Sequence, residues 1–117
     1  PILIINLKRF KGHIQNQKQN TPVHYPIKGL HMNDFMIKTQ EESIDDQQLN
    51  LEQKIMNDNI YDLFAVVLHT GTLNGGHYTA IAKNRKSWYE FNDDKVYKLT
   101  RHERQRIVSN HAYILFY

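Results

Sequence analysis

The stretch Tyr61–Asp93, YDLFAVVLHTGTLNGGHYTAIAKNRKSWYEFND, decides how this chain is read. Tyr61–His69 is rich in apolar and β-branched residues, Tyr78–Ala82 and Trp88–Phe91 repeat that character, and Gly, Asn and Lys separate the segments. Runs of this kind bounded by turn residues read as strands. Between the first two stands His77, directly behind Gly75 and Gly76. The glycine pair removes side chains, which permits unusual backbone angles and close approach by another extended chain. Because Tyr78 begins the next strand, His77 is expected at a strand end, a rigid place from which an imidazole can face a cleft. Imidazole titrates near neutrality and is the usual proton carrier for a thiol or hydroxyl nucleophile. A lone strand histidine is more often structural; the glycine pair and the strand end shift the balance towards proton transfer.

A general base needs a partner on its other ring nitrogen to fix tautomer and orientation. The segment Lys83–Ser87 is short enough for a hairpin, which would bring Asn92 or Asp93 alongside His77. A carboxamide orients the ring without adding charge, whereas a carboxylate also stabilises imidazolium. The competing reading is that Asn92 and Asp93 merely form a turn before Lys95. The chain contains no cysteine, so disulfides, thiolate metal sites and a thiol nucleophile are all excluded on it.

Outward from this stretch the pattern stays largely β. Val96–Leu99 and Ala112–Tyr117 are further strands, and Thr100 is expected to cap a short helix through about Val108, with Glu103 completing a capping box. Ile2–Phe10 is apolar on both faces and is expected to be a central, buried strand. Lys11–Thr21 reads as an exposed loop, Val23–Ile27 as an edge strand because of Pro26, and the LHMNDF segment as a turn around Asn33 and Asp34. Over Met36–Asn59 six acidic residues oppose Lys38 and Lys54, and Ile44, Leu49, Leu51 and Ile55 are too sparse for a firm apolar face. A solvated, partly helical insertion at about 38–59 is expected there. The sum is an α+β fold, a mainly antiparallel β-sheet with short helices.

With 117 residues, 40% hydrophobic and 23% charged, the chain fits one globular domain. No apolar stretch approaches the roughly 20 residues of a membrane span, and PILIINLKRF has its basic residues after the apolar run, unlike a signal peptide. No membrane partner is therefore expected. The net charge of +3 is mild, and Lys83, Arg85, Lys86, Lys95, Lys98, Arg101, Arg104 and Arg106 are interleaved with Glu90, Asp93, Asp94 and Glu103. That is a solvated face, and no nucleic-acid partner is expected. Pro1 leads straight into a strand pattern, as in a piece cut from a longer polypeptide.

Taken in order, Tyr-x-Leu-x-Ala-Val from Tyr61, His-x-Gly from His69, Gly-His-Tyr-x-Ala from Gly76 and Trp-Tyr-x-Phe-Asn-Asp from Trp88 resemble the histidine box of the ubiquitin-specific proteases, papain-like cysteine peptidases that remove ubiquitin. PILIINLKRF, YPIKGL and the terminal AYILFY agree with the same family, while the acidic middle does not. The resemblance implies a fold like the palm part of a papain-like protease. It places the general base on His77, the third catalytic member on Asn92 and an assisting acid on Asp93. It makes His69–Gly76 a blocking loop bordering the channel for ubiquitin's C-terminal tail, with Gly75, Gly76, Tyr78 and the loop-shaping His69 as substrate-binding residues. A tail ending in Gly-Gly can be selected by a narrow channel that excludes bulk.

The resemblance further implies ubiquitin and ubiquitinated proteins as partners, no cofactor, and an intracellular setting in cytoplasm or nucleus. The family's cysteine box normally lies N-terminal of this segment. Residues 1–117 thus resemble the C-terminal part of the catalytic domain, whose N-terminal half is a further partner, and the chain alone is expected to be inert. The alternative is a non-catalytic ubiquitin-binding pseudo-enzyme module, against which the retention of His77, Asn92 and Asp93 argues. A metal site on His69, His77 and His111 lacks an acidic or thiolate ligand at established spacing.

Overall fold

In the computed structural model the described residues are 1–10, 18–36, 59–72 and 74–117. Their strands are β1 (Ile4–Asn6), β2 (Leu30–His31), β3 (Ile60–Tyr61), β4 (Ala65–Thr72), β5 (Gly75–Asn84), β6 (Ser87–Asn92), β7 (Lys95–Lys98) and β8 (Ala112–Phe116). Six of them form one antiparallel sheet in the order β1-β8-β4-β5-β6-β7, and β2 pairs with β3. Two short 3₁₀ segments, Asn33–Phe35 and Glu103–Ile107, are the helical elements among the described residues. This is the α+β, mainly antiparallel sheet expected from the strand pattern. No described helix is long and apolar enough to cross a membrane.

Period-2 alternation decides the two faces. Val66 on β4 sits opposite Ile81 on β5 and Leu115 on β8, and all three are buried. Leu68, Trp88 and Ala112 extend that face, and Leu63, Leu99 and Ile107 close over it from the connecting segments. The buried phenols of Tyr25 and Tyr117 donate to the carbonyls of Ile107 and Pro26, the latter at 2.7 Å, so neither hydroxyl is stranded in the core.

The register of β8 slips between Val67 and Leu68 of β4: Ile114 faces Val67, but Ala112 faces Leu68. The extra residue is Tyr113. This bulge keeps Ala112 on the core face and turns the Tyr113 ring to the other side, against Phe10, Tyr78 and His69.

Several local expectations are corrected. The strand expected over Ile2–Phe10 is neither central nor fully buried: among the described strands β1 pairs only with β8, and Ile2 and Ile4 are 69% and 59% exposed. Leu3, Ile5 and Leu7 pack on the core, so one apolar face is covered and the other is bare. Apolar character on both faces reports what the side chains want, not how many strands flank the backbone. Val23–Ile27 forms no ladder; the strand falls one step later, at Leu30–His31, after Gly29 turns the chain at φ +66°. Tyr61–His69 is interrupted at residues 62–64, which separate β3 from β4. The Thr100 capping box forms: the Thr100 amide and hydroxyl donate to Glu103 at 2.9 and 2.7 Å, and the Glu103 amide donates back at 3.4 Å. It opens a 3₁₀ segment and not an α-helix. The acidic insertion expected at about 38–59 lies, apart from Asn59, outside the described residues.

Candidate active site

β5 does not begin at Tyr78. It runs back through His77 to Gly75, and β4 runs forward to Thr72, so the segment expected as the loop His69–Gly76 is largely the paired end of a hairpin. His77 therefore sits inside a ladder, opposite Thr70, and its backbone is held more firmly than at a strand end.

On the other side of β5, Ala80 faces Phe91, which places Thr79 against Asn92, the last residue of β6. His77 and Thr79 share a face, so Asn92 is the diagonal neighbour of His77 on that face. The side chains meet: His77 Nε2 is 2.7 Å from Asn92 Oδ1. An amide oxygen only accepts, so Nε2 carries the proton and donates it, and the lone pair of the neutral ring is left on Nδ1. That is the tautomer a base needs.

Asp93 occupies the two-residue turn between Asn92 and its partner Lys95, with φ at +51°. Aspartate tolerates this left-handed conformation better than most residues. Its Oδ2 lies 3.8 Å from the same His77 Nε2, too far for a hydrogen bond but within ion-pair reach of a charged ring. With His77 and Asp93 side chains 47% and 74% exposed, solvent holds that attraction to about 1 kcal/mol or less. Asn92 orients the ring, and Asp93 adds field.

The remaining site residues from the sequence gather elsewhere. His69, Gly71, Gly76 and Tyr78 lie on the opposite face of the β4–β5 hairpin, where His69 pairs with Tyr78 and Gly71 with Gly76. His69 is 3% exposed, its ring 4.6 Å from that of Tyr78 and 5.4 Å from that of Phe10. Burial pushes its pKa below the usual histidine value, and the Lys18 ammonium and His111 act in the same direction. Since His69 and His77 point to opposite faces, they cannot share a metal ion, and no described trio of His, Asp or Glu is placed to hold one.

The three glycines have different reasons. Gly71, at φ +113°, has the Gly75 carbonyl where a β-carbon would lie, and a β-carbon on Gly76 would run into His69 and the Thr70 carbonyl. Both are demanded by the hairpin's own crowding, not by an approaching chain. A β-carbon on Gly75 meets nothing within 4 Å, and Gly75 shares the face of His77. The open approach expected of the pair belongs to Gly75.

Two residues that sequence reasoning passed over support this end of the sheet. Arg9, 4% exposed, donates to the carbonyls of Ala112, Gln19 and Thr21 at 2.5, 2.9 and 2.9 Å. Lys18 bridges to Phe10 in a short β-pair and donates its ammonium to the His69 carbonyl. The sole sequence signal was an arginine inside an apolar strand pattern.

Residues 1–117 match the family model described as ubiquitin carboxyl-terminal hydrolase. Among curated relatives, ubiquitin carboxyl-terminal hydrolase 4 of Pongo abelii is 37% identical over 99% of this chain, and ubiquitin carboxyl-terminal hydrolase 2 of Gallus gallus is 35% identical over 99%. The chain spans 10% and 28% of the length of these two relatives. Among solved structures, the Ubp8/Sgf11/Sus1/Sgf73 SAGA DUB module bound to ubiquitin aldehyde matches with a TM-score of 0.70 at 30% identity, covering 99% of this chain and 24% of that one.

Proposed function

Because the chain belongs to the ubiquitin carboxyl-terminal hydrolase family, we propose that it supplies the histidine half of a thiol-dependent deubiquitinating site, as the C-terminal part of a catalytic domain with an acidic insertion at about 38–59. The observation that carries this is the 2.7 Å contact from His77 Nε2 to Asn92 Oδ1, which leaves Nδ1 free to take a proton.

The cysteine is supplied by another part of the same catalytic domain, since this chain has none. His77 Nδ1 removes the thiol proton, and the thiolate attacks the carbonyl of ubiquitin's terminal glycine. The resulting imidazolium, held by Asn92 with Asp93 alongside, returns the proton to the lysine amine as the C–N bond breaks. His77 then deprotonates the water that cleaves the thioester, and the thiol is restored. Gly75, open on the face of His77, borders the ubiquitin tail beside the base, while Gly76 and Tyr78, exposed on the other face of the hairpin with His69 packed against them, border it from that side. Ubiquitin and its conjugates are the partners in this reading.

The test is release of a fluorophore from the C-terminus of ubiquitin by the full polypeptide that carries this segment. Hydrolysis is expected to vanish on thiol alkylation and on His77→Ala, and to be absent for residues 1–117 alone. Turnover that survives His77→Ala would overturn the assignment.

A further inference from the structure

His69 takes no part in the proton transfer, yet it is enclosed from every side. Phe10, Tyr78 and Tyr113 surround the ring at centroid distances of 5.4, 4.6 and 6.3 Å. Its amide donates to the His111 carbonyl at 2.8 Å, and its own carbonyl accepts from Lys18. Nδ1 has no hydrogen-bond partner among the described residues. The remaining side of the ring meets Gly76. A β-carbon built there would collide with Nε2 and lie 2.8 Å from Cε1, so the imidazole occupies the space that a side chain at residue 76 would need.

Gly76 immediately precedes His77. On the far face of the same strand, His77 must hold its Nε2 at 2.7 Å from Asn92. Glycine backbone is the softest place in a strand, and the imidazole is the group that lies against it. A shift there is transmitted through one peptide unit to the His77 Cα.

We propose that His69 is a positioning residue: its imidazole is a wedge seated on the Cα of Gly76 that fixes the strand segment presenting His77 to Asn92. The aromatic ring cluster holds the wedge in place, and the bulge at Tyr113 supplies one of those rings. The proposal rests on His77 being the base described above. Its test therefore includes a readout that needs no turnover.

The imidazole ¹⁵N shifts of His77 report its tautomer in the labelled chain, and the wild type is expected to show a single Nε2–H form. For His69→Ala a mixture of tautomers is expected. In the full polypeptide the same variant should lose roughly 10- to 100-fold in kcat with KM nearly unchanged, the scale of a misplacement of about 1 Å. His69→Met refills the space without a nitrogen and is expected to restore both the tautomer and kcat. The wedge is overturned if His69→Ala keeps the wild-type tautomer and kcat. It is equally overturned if a folded His69→Met behaves like His69→Ala, because the nitrogen and not the volume would then matter. Should His69→Ala fail to fold, His69→Met decides alone. Absence of turnover in the wild-type polypeptide would defeat the functional reading while leaving the tautomer result to judge the wedge.

Discussion

Replacing Asn92 and Asp93 separately distinguishes orientation from field. Asn92 accepts a 2.7 Å hydrogen bond from His77 Nε2, and this bond is charge-assisted once the ring becomes imidazolium in the transition state. Hydrogen bonds to charged groups contribute about 1.5–3 kcal/mol, which at about 1.4 kcal/mol per decade is roughly a 10- to 150-fold loss of kcat for Asn92→Ala. KM should stay near wild type, because the interaction strengthens only on the way to the transition state. Asn92→Asp keeps an acceptor at the same place and adds charge beside imidazolium, so it should fall less. For Asp93 the informative change is to Asn and not Ala: at φ +51° asparagine is tolerated, so only the charge is removed. A 3.8 Å pair with one partner 74% exposed is worth about 1 kcal/mol at most, or roughly fivefold in kcat. The assay is steady-state hydrolysis of a ubiquitin C-terminal fluorogenic amide by the full polypeptide, with thermal melts confirming that each variant is folded. If Asp93→Asn proves more damaging than Asn92→Ala, the third catalytic role belongs to Asp93 and the orientation argument fails.

Gly76→Ala should lower the melting temperature clearly, because its β-carbon collides with His69 and the Thr70 backbone, whereas Gly75→Ala should leave it unchanged or raise it; equal effects in a thermal scan would contradict the crowding argument. Burial raises the Tyr117 pKa to about 12. A raised folded-state value means its contribution is complete below the ordinary pKa of about 10 and is lost as pH climbs from there through about 12. Denaturant midpoints should fall over that window, and Tyr117→Phe should flatten the fall. Deleting residues 38–57 should leave catalytic efficiency nearly unchanged in the full polypeptide, since insertions cost little in chain closure; a large loss with intact circular dichroism would mean the segment contacts substrate.

Much of this site could be read from local sequence because its logic is local. Two strands joined across Lys83–Ser87 leave few registers, and either of the shortest ones puts Asn92 or Asp93 beside His77. The absence of cysteine follows from composition alone. The apolar, β-rich runs Tyr61–His69, Tyr78–Ala82 and Trp88–Phe91, split by turn residues, likewise announce neighbouring strands joined by short turns. What could not be read from the sequence depended on residues far apart in the chain. Whether Ile2–Phe10 lies at the centre or the edge of the sheet turns on which strands flank it, and β8 arrives from more than a hundred residues away. The choice between Asn92 and Asp93 needed the β5–β6 register and the left-handed turn at Asp93. The separate duties of Gly71, Gly75 and Gly76 came from what occupies the space where each β-carbon would be. Only tertiary structure put the His69 imidazole in one of those spaces and the face of His77 on the open side of another.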